Sequence, residues 1–207
     1  PLAKDIAKPA QQAAIPILQC KNPRRVMAKM ASIYWPSQPG MVAAVTGTNG
    51  KTSTTEFLRQ LWQRATWQAI AVGTLGITGT DMIKSDGALL SLPPLTTPDS
   101  ISLHAALAPL TKTGVTHLAL EASSHGLEQH RLDGLNIHIA AFTNLSRDHL
   151  DHHLDMDRYF AAKHRLFTDL LSEGGAAIIN LDDHYSAAII DSLQDRAIVI
   201  KTFGYAK

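Results

Sequence analysis

The sequence predicts an α/β protein: a doubly wound, mostly parallel sheet with a phosphate-binding loop, preceded by a short segment of different character. Three observations carry this reading. From Met41 onward, short apolar runs alternate with helical stretches, the pattern of strands that cross over to parallel neighbours. The first run leads into the glycine-rich turn Gly47-Thr48-Asn49-Gly50 and then into a helix. Hydrophobic residues make up 45% of the 207 residues, enough for one sizeable core.

Taken in order, Leu2 to Ala14 reads as a short helix interrupted at Pro9, followed by the apolar run Ile15-Pro16-Ile17-Leu18. Pro23 opens a helix through Trp35, which Pro36 and Pro39 close. Residues 1–38 carry no complete core pattern and read as the tail of something upstream, joined by a helix to a main domain over 39–207. MVAAVT (41–46) is a buried strand. The following helix, 52–65, sets Phe57, Leu58, Leu61 and Trp62 along one face. QAIAVGT (68–74) is a second strand, and residues 82–94 read as a hairpin or surface excursion around Asp86-Gly87. Asp99 or Ser100 caps a helix through Ala108, ended by Gly114. VTHLALEA (115–122) and NIHIAAFTN (136–144) are strands. Asp155 opens a long helix that the pair Gly174-Gly175 closes. AAIINLDD (176–183), a helix over 183–193 and AIVIKTFG (197–204) complete the alternation. The stop straight after a strand is read as truncation.

Charged residues are 18% of the chain, below the quarter or so usual for soluble domains, and the formal net charge is +1. That balance gives no basic footprint for nucleic acid. A single cysteine, Cys20, excludes an intramolecular disulfide framework and suits a reducing cytoplasm. The stretch from Ala65 to Thr80 is too short and too polar to cross a membrane, and the N-terminus has no signal-peptide pattern.

The segment Gly47 to Thr52 suits a phosphate cradle, since glycines admit backbone N–H groups to an anion and the helix N-terminus adds partial positive charge. Lys51 is placed to reach β/γ-phosphates and the Thr52 hydroxyl to hold Mg²⁺. The usual nucleotide loop has glycine five positions before Gly50, where Val45 stands, so this loop is a shorter form. Glu121 ends an apolar strand, a position fit either for a second Mg²⁺ anchor or for an acid that stabilises the following turn. Nine of the ten histidines fall between His104 and His164, and Asp148, His149, His152 and His153 form a cluster. Zinc is conceivable there, yet His152 and His153 point apart on a helix, and surface imidazoles are the plainer reading. Lys163 has Tyr159 and Phe167 four positions either side, and periodicity alone has it snorkelling along that face to water. Thr96-Thr97-Pro98-Asp99 reads as a loop with a helix cap. Ser123-Ser124-His125 is rejected as a Ser–His nucleophile, because adjacent residues seldom meet and no G-x-S-x-G elbow is present.

In order and spacing, GTNGKTST, LTTPD, EASSHGLEQHR, FTNLSRDHLDHH and YFAAKHRLF resemble the Mur ligases, most nearly the MurE type. That type adds the third residue to the peptide of UDP-N-acetylmuramoyl-L-alanyl-D-glutamate. The likeness runs from about Pro36 to Tyr205, and the short phosphate loop is the form this family uses. It implies a central ATP-binding domain over 39–207, with 1–38 the end of a uridine-nucleotide-binding domain and its linker, and the amino-acid-binding C-terminal domain absent. Gly47, Thr48, Asn49, Gly50, Lys51, Thr52 and Ser53 then form the ATP loop, with Asn144 also near the nucleotide. Thr52 and Glu121 hold one Mg²⁺, and His149 and a carbamylated Lys163 hold a second. Thr96, Thr97, Ser123, Gln129 and Arg131 contact the muramoyl dipeptide. Leu154 departs from the family, which often has glycine there.

The reaction so implied is ATP-dependent amide formation through an acyl phosphate, with a free amino acid as second substrate. A monomer in the bacterial cytoplasm is expected, without turnover by this chain alone. Alternatives are a folylpolyglutamate-synthase-like ligase, disfavoured by TTPD and SSHGLEQHR; a His/Asp metal hydrolase, which needs neither Lys51 nor ATP; and a fragment that only binds ATP.

Overall fold

The computed structural model describes residues 9, 12–80, 92–146 and 155–205. Helix α1 spans Pro23–Tyr34. Its proline sits in the first turn, where no N–H is needed, and the Asn22 side chain accepts from Arg25 N–H at 3.0 Å. The sheet then begins with β1 (Met41–Thr46), followed by α2 (Lys51–Arg64), β2 (Ala69–Gly73), β3 (Gly76–Thr78) and α3 (Ser100–Lys112). After these come β4 (His117–Glu121), α4 (Ser124–Glu128), β5 (Ile137–Phe142) and α5 (Met156–Arg165). A π-helical turn, Leu166–Leu170, leads into β6 (Leu171–Asn180), α6 (Ser186–Asp191) and β7 (Val199–Phe203). The seven strands are ordered β3-β2-β4-β1-β5-β6-β7, all parallel except the β2–β3 hairpin.

The two faces of the sheet differ because strand side chains alternate. Val42, Ala44, Ile70, Val72, Leu118 and Leu120 point to the face covered by Leu103, Leu107 and Leu110 of α3 and by Tyr159, Leu166 and Phe167 from α5 and its π turn. The opposite set, Ala43, Ala71 and Ala119, is small, and this lets α2 lie close with Trp62 buried and Leu58 packed against it. Each fully buried Leu on the larger face contributes about 1.5–3 kcal/mol of burial free energy. Strand β1 lies between β4 and β5, so its carboxyl end faces the two chain segments that leave those strands.

Helix α1 is docked on this domain through a buried acid. Asp133, 3% exposed, accepts from Arg165 at 3.1 Å and from His130 Nδ1 at 3.0 Å, and pairs with the Arg25 guanidinium at 3.3 Å. Asn22 Nδ2 donates to His130 Nε2 at 2.6 Å, which completes the tie. No helix among the described residues is long and apolar enough to cross a membrane.

Several elements differ from the sequence expectation by more than a residue or two. The helix expected over 155–175 ends at Arg165, passes through the π turn and becomes β6 at Leu171, ten residues of strand with Gly174 at φ +76°. The apolar spacing of Leu166, Leu170 and Leu171 serves either state. Helix α3 runs past Ala108 to Lys112 with Pro109 inside, and the Pro109 carbonyl still accepts from Thr113 N–H at 3.0 Å. Helix α6 is shorter than 183–193. Strand β3 and helix α4 had no expectation at all. On α2, Phe57 and Leu61 are about two-thirds exposed, not core, because the alanine face of the sheet receives only the stripe through Thr55 and Trp62. The expected hairpin around Asp86-Gly87 and most of the helix over 2–14 lie outside the described residues.

Candidate active site

The carboxyl ends of β1, β4 and β5 come together at one edge of the sheet, where parallel α/β proteins bind ligands. Register pairs Val45 with Glu121 and Thr46 with Phe142, so the loops leaving all three strands start at the same level. Thr46 Oγ1 donates to Ala122 O at 2.8 Å and fastens the first two loops together.

The phosphate loop is shaped by close approach. Gly47 has φ +150°, and a Cβ there would lie 1.9 Å from Thr143 Oγ1. Thr143 itself donates to Asn49 O at 2.7 Å. Asn144 clamps the loop from the other side: its Oδ1 accepts from Asn49 N–H at 3.0 Å and its Nδ2 donates to Asn49 O at 3.2 Å. Thr48 N–H donates to Asn144 O at 2.8 Å, and the Thr48 hydroxyl meets Ser146 and the Tyr159 hydroxyl at 3.2 Å. The Asn144 and Thr48 side chains therefore hold the loop's shape. Gly50 starts α2 in the left-handed region (φ +82°), with no side chain among the described residues capping the helix. The first-turn N–H groups are thus left to an anion. Lys51 folds back so that its Nζ donates to Gly47 O at 2.9 Å and Thr48 O at 2.8 Å. Thr52 is half-buried and Ser53 exposed, both on the first turn of α2.

Glu121 is 2% exposed, so its carboxylate is a buried group at the strand tip. Thr74, in the two-residue turn between β2 and β3, donates its N–H to Oε1 at 2.9 Å, and its hydroxyl lies 3.3 Å from Oε2. A Cβ on Gly73 would fall 2.1 Å from Oε1, so the carboxylate seats against bare backbone. A buried carboxylate and the Thr52 hydroxyl are hard oxygen donors, a set that fits Mg²⁺. No group of three or more His, Cys, Asp or Glu that could hold a metal occurs among the described residues. His149, with Asp148, His152 and His153, lies outside them, as does Leu154.

The third part is the loop after β4. Ser123 caps α4, its Oγ accepting from Gly126 N–H at 3.0 Å. Thr97, fully buried, donates to Glu121 O at 2.8 Å, lies 2.9 Å from Ser123 Oγ and accepts from Ser123 N–H at 2.9 Å. Gly126 is required there, since a Cβ would be 2.6 Å from the Thr97 side chain. Arg131 donates from Nη1 to Thr97 O at 2.7 Å and from Nε and Nη2 to Gln129 Oε1 at 3.2 and 2.8 Å. Burial lowers the Arg131 pKa, with Asp99 opposing and Arg24 reinforcing that shift. Thr96 Oγ1 lies 3.1 Å from Thr74 Oγ1. Ser123 is thus a helix cap bonded to Thr97.

Lys163 does not snorkel. It is 2% exposed, its Nζ donates to Gly47 O at 2.9 Å, and the ammonium stands 4.4 Å from the centre of the Tyr159 ring. A carbonyl 116 positions earlier outcompetes water as its partner. Of the residues expected at a site, the structure therefore brings Gly47, Lys51, Lys163 and Asn144 together, and joins Glu121, Thr96, Thr97, Ser123, Gln129 and Arg131 through a second chain of bonds. Sequence reasoning missed Gly73, Thr74 and the Tyr159 hydroxyl. Thr74 had one signal, a hydroxyl between glycines 73 and 76 just past a buried strand.

Residues 45–207 match the family model described as Mur ligase middle domain. The chain is 44% identical over 190 residues to the UDP-N-acetylmuramoyl-L-alanyl-D-glutamate--2,6-diaminopimelate ligase of Bradyrhizobium diazoefficiens, an alignment covering 92% of this chain and 38% of that protein. A solved structure of a ligase with that name superposes with a TM-score of 0.76 at 35% identity, covering 93% of this chain and 39% of that one. The ADP complex of E. coli FolC superposes with a TM-score of 0.65 at 16% identity, over 96% of this chain and 52% of that one, a likeness of fold alone. The chain thus spans about two-fifths of the length of the curated relative it matches. The match over 163 residues, on the same sheet edge that gathers the loop, the buried acid and the lysines, makes this chain a member of the Mur ligase middle-domain family.

Proposed function

We propose that the chain is the nucleotide-binding part of an ATP-dependent ligase of peptidoglycan precursor synthesis. The reaction joins a third amino acid to UDP-N-acetylmuramoyl-L-alanyl-D-glutamate. The observation that carries this is the convergence of two lysines, Lys51 and Lys163, on the carbonyl of Gly47 beside a buried carboxylate and a loop bearing Arg131. Such a site can hold a nucleoside triphosphate against an acidic acceptor. Residues 39–207 are read as the central domain, and 1–38 as the end of a uridine-nucleotide-binding domain with its linker. The names of the relatives favour 2,6-diaminopimelate as the amino acid. A monomer acting in the bacterial cytoplasm, on these small molecules and on neither nucleic acid nor membrane, completes the reading.

In this mechanism the α2 N-terminus, the loop N–H groups and Lys51 hold the phosphates, with Gly47, Thr48, Asn49, Gly50, Thr52, Ser53 and Asn144 shaping the cradle. Thr96, Thr97, Ser123, Gln129 and Arg131 hold the dipeptide so that its carboxylate faces the γ-phosphoryl group. Carboxylate oxygen attacks phosphorus, ADP leaves, and an acyl phosphate forms. The amine then attacks the acyl carbon, inorganic phosphate departs with the bond's electron pair, and the amine proton is released. No side-chain nucleophile is needed; positioning and charge neutralisation carry the barrier. Thr52 and Glu121 would hold one Mg²⁺, and His149 and a carbamylated Lys163 a second, and the ions would supply further neutralisation of the phosphoryl oxygens.

The test is calorimetry and thermal shift on this chain with Mg·ATP, and on the full-length protein with the muramoyl dipeptide or a folate substrate. Expected are weak Mg·ATP binding by the chain, lost in Lys51→Ala, and stabilisation of the full-length protein by the dipeptide and not by folate. Equal nucleotide binding by wild type and Lys51→Ala overturns the loop assignment, and preference for folate overturns the substrate.

A further inference from the structure

Thr74 belongs to none of the loops that carry the site, yet it touches two of them. It sits at the tip of the β2–β3 hairpin, with Gly73 and Gly76 paired on either side. Its N–H donates to Glu121 Oε1 at 2.9 Å. Its single hydroxyl lies between Glu121 Oε2 at 3.3 Å and Thr96 Oγ1 at 3.1 Å. We propose that Thr74 is a positioning residue whose one hydroxyl proton links the Glu121 carboxylate to the Thr96 hydroxyl, so that occupancy at either is felt at the other.

The argument is one of donors and acceptors. A threonine hydroxyl has one hydrogen to give and lone pairs to receive another. Facing an ionised carboxylate, that hydrogen goes to Glu121, because a charge-assisted bond is about twice as strong as a neutral one. Thr96 Oγ1, the second acceptor that this hydroxyl faces, is then left without the Thr74 hydrogen. When Glu121 Oε2 gives its lone pair to another group, the Thr74 hydrogen turns fully to Thr96. Thr96, accepting from Thr74, then offers its own proton more strongly to an acceptor on the substrate. No covalent bond changes; one hydroxyl hydrogen is redistributed between two acceptors.

The backbone around Thr74 favours rotation over displacement. Glu121 cannot settle deeper, since it already lies against Gly73. The far end of the hairpin is anchored to α2: Thr78 Oγ1 donates to Glu56, Glu56 pairs with Arg59 at 2.9 Å, and Gln63 Nε2 donates to Ala69 O at 2.9 Å and Gly79 O at 3.3 Å. The hairpin is held at its tip by Glu121 and at its open end by α2, and the hydroxyl hydrogen is the movable part.

This inference rests on the ligase reading, in which Glu121 is a cation anchor and Thr96 a substrate contact. The experiment is isothermal calorimetry on the full-length protein. It measures the affinity for UDP-N-acetylmuramoyl-L-alanyl-D-glutamate with and without Mg²⁺ and a non-hydrolysable ATP analogue, and the reciprocal affinity for the nucleotide. In wild type each ligand changes the other's affinity, on the order of fivefold or more. Thr74→Val keeps the backbone donor and the side-chain shape, and brings that ratio close to one. Thr74→Ser restores it. If the valine variant does not fold, Thr74→Ala gives the same readout. A wild-type ratio in the valine or the alanine variant overturns the relay, as does independent binding by wild type, and both leave the ligase reading standing. A wild-type protein that binds neither ligand overturns that reading and the relay with it.

Discussion

Lys51 and Lys163 share one acceptor: the Nζ of each donates to the carbonyl oxygen of Gly47 at 2.9 Å. One lysine lies on the first turn of α2 and the other is buried on α5, and the two helices pack on opposite faces of the sheet. The Gly47 carbonyl is therefore the point where both layers reach the ligand edge. Two ammonium groups on one oxygen repel each other, and an anionic ligand placed between them relieves that repulsion.

The seat of the Glu121 carboxylate can be tested by adding one methyl group. In Gly73→Ala the new Cβ would lie 2.1 Å from Oε1 and 2.6 Å from Cδ, so the acid must move. The expected cost is about 1–3 kcal/mol in chemical denaturation. Mn²⁺ affinity, followed by electron spin resonance with ADP present, should fall roughly tenfold. Gly40→Ala, where a Cβ meets nothing within 4 Å, should stay within about 0.5 kcal/mol of wild type. Unchanged Mn²⁺ binding in Gly73→Ala would mean that this acid is not a cation anchor.

Arg131 spends three donors on Thr97 O and Gln129 Oε1, which leaves two of its five for a ligand. A lysine has three donors on one nitrogen and cannot span that geometry. In the full-length enzyme Arg131→Lys is expected to raise the KM for the muramoyl dipeptide about 10–100-fold, the loss of a bond to a charged group. The KM for ATP should change by less than about twofold, since Arg131 stands on the loop after β4 rather than on the phosphate loop. Equal effects on both constants would remove Arg131 from substrate recognition.

Much of this site was legible before the fold. The β1–loop–α2 passage, Glu121 at a strand tip and the capping role of Asp99 follow from local pattern, because each depends on neighbours within a few positions. Lys163 shows where local pattern stops. Its i±4 neighbours Tyr159 and Phe167 mark an apolar face, and only tertiary packing decides whether water or the Gly47 carbonyl receives the amine. Phe57 and Leu61 fail in the opposite sense. Helical spacing put them in the core, yet the sheet face they approach is alanine and admits one stripe of the helix, through Trp62. The change from helix to strand near Leu171 was hidden because leucines suit both states and the glycines lie inside the strand.

A pH dependence of stability follows from His104, which is 1% exposed on α3 with Nε2 lacking a hydrogen-bond partner among the described residues. Burial lowers its pKa below the ordinary 6.5. At neutral pH both folded and unfolded chains carry the neutral ring, and the shift has no effect. Below pH 6.5 the unfolded chain takes up the proton first, so stability falls until the lower folded pKa is passed. His117 and His164 are shifted in the same direction by burial, Asp169 partly opposing at His164, and they add to the loss. His104→Leu should therefore reduce, without abolishing, the difference in unfolding free energy between pH 7.5 and pH 5. At pH 7.5 it should be neutral or stabilising by about 1 kcal/mol, because a buried unsatisfied polar atom is removed. An unchanged pH slope would show that His104 does not titrate on unfolding.

The last prediction concerns the chemistry of Lys163. A cation in this position adds to the charge of Lys51 at the loop, but a carbamate reverses it. In its neutral form the amine attacks CO₂, an N–C bond forms, and the nitrogen releases one proton, leaving an anionic oxygen donor. Hard cations favour such donors, and burial at 2% exposure beside Tyr159 shields the group from hydrolysis. In the full-length enzyme, Lys163→Ala is expected to abolish most turnover, with added short carboxylates restoring part of it. Nucleotide affinity by calorimetry should hold within a few-fold, since Lys51 and the loop N–H groups remain. Lys163→Met separates chemistry from packing: it fills the buried space, should keep near-normal stability, and should be as inactive as the alanine variant without responding to carboxylates. Intact mass at high bicarbonate with Mg²⁺ and nucleotide should show the added carboxylate in wild type and in neither variant. Near-normal turnover in Lys163→Met would leave Lys163 as a structural bond to Gly47 and nothing more.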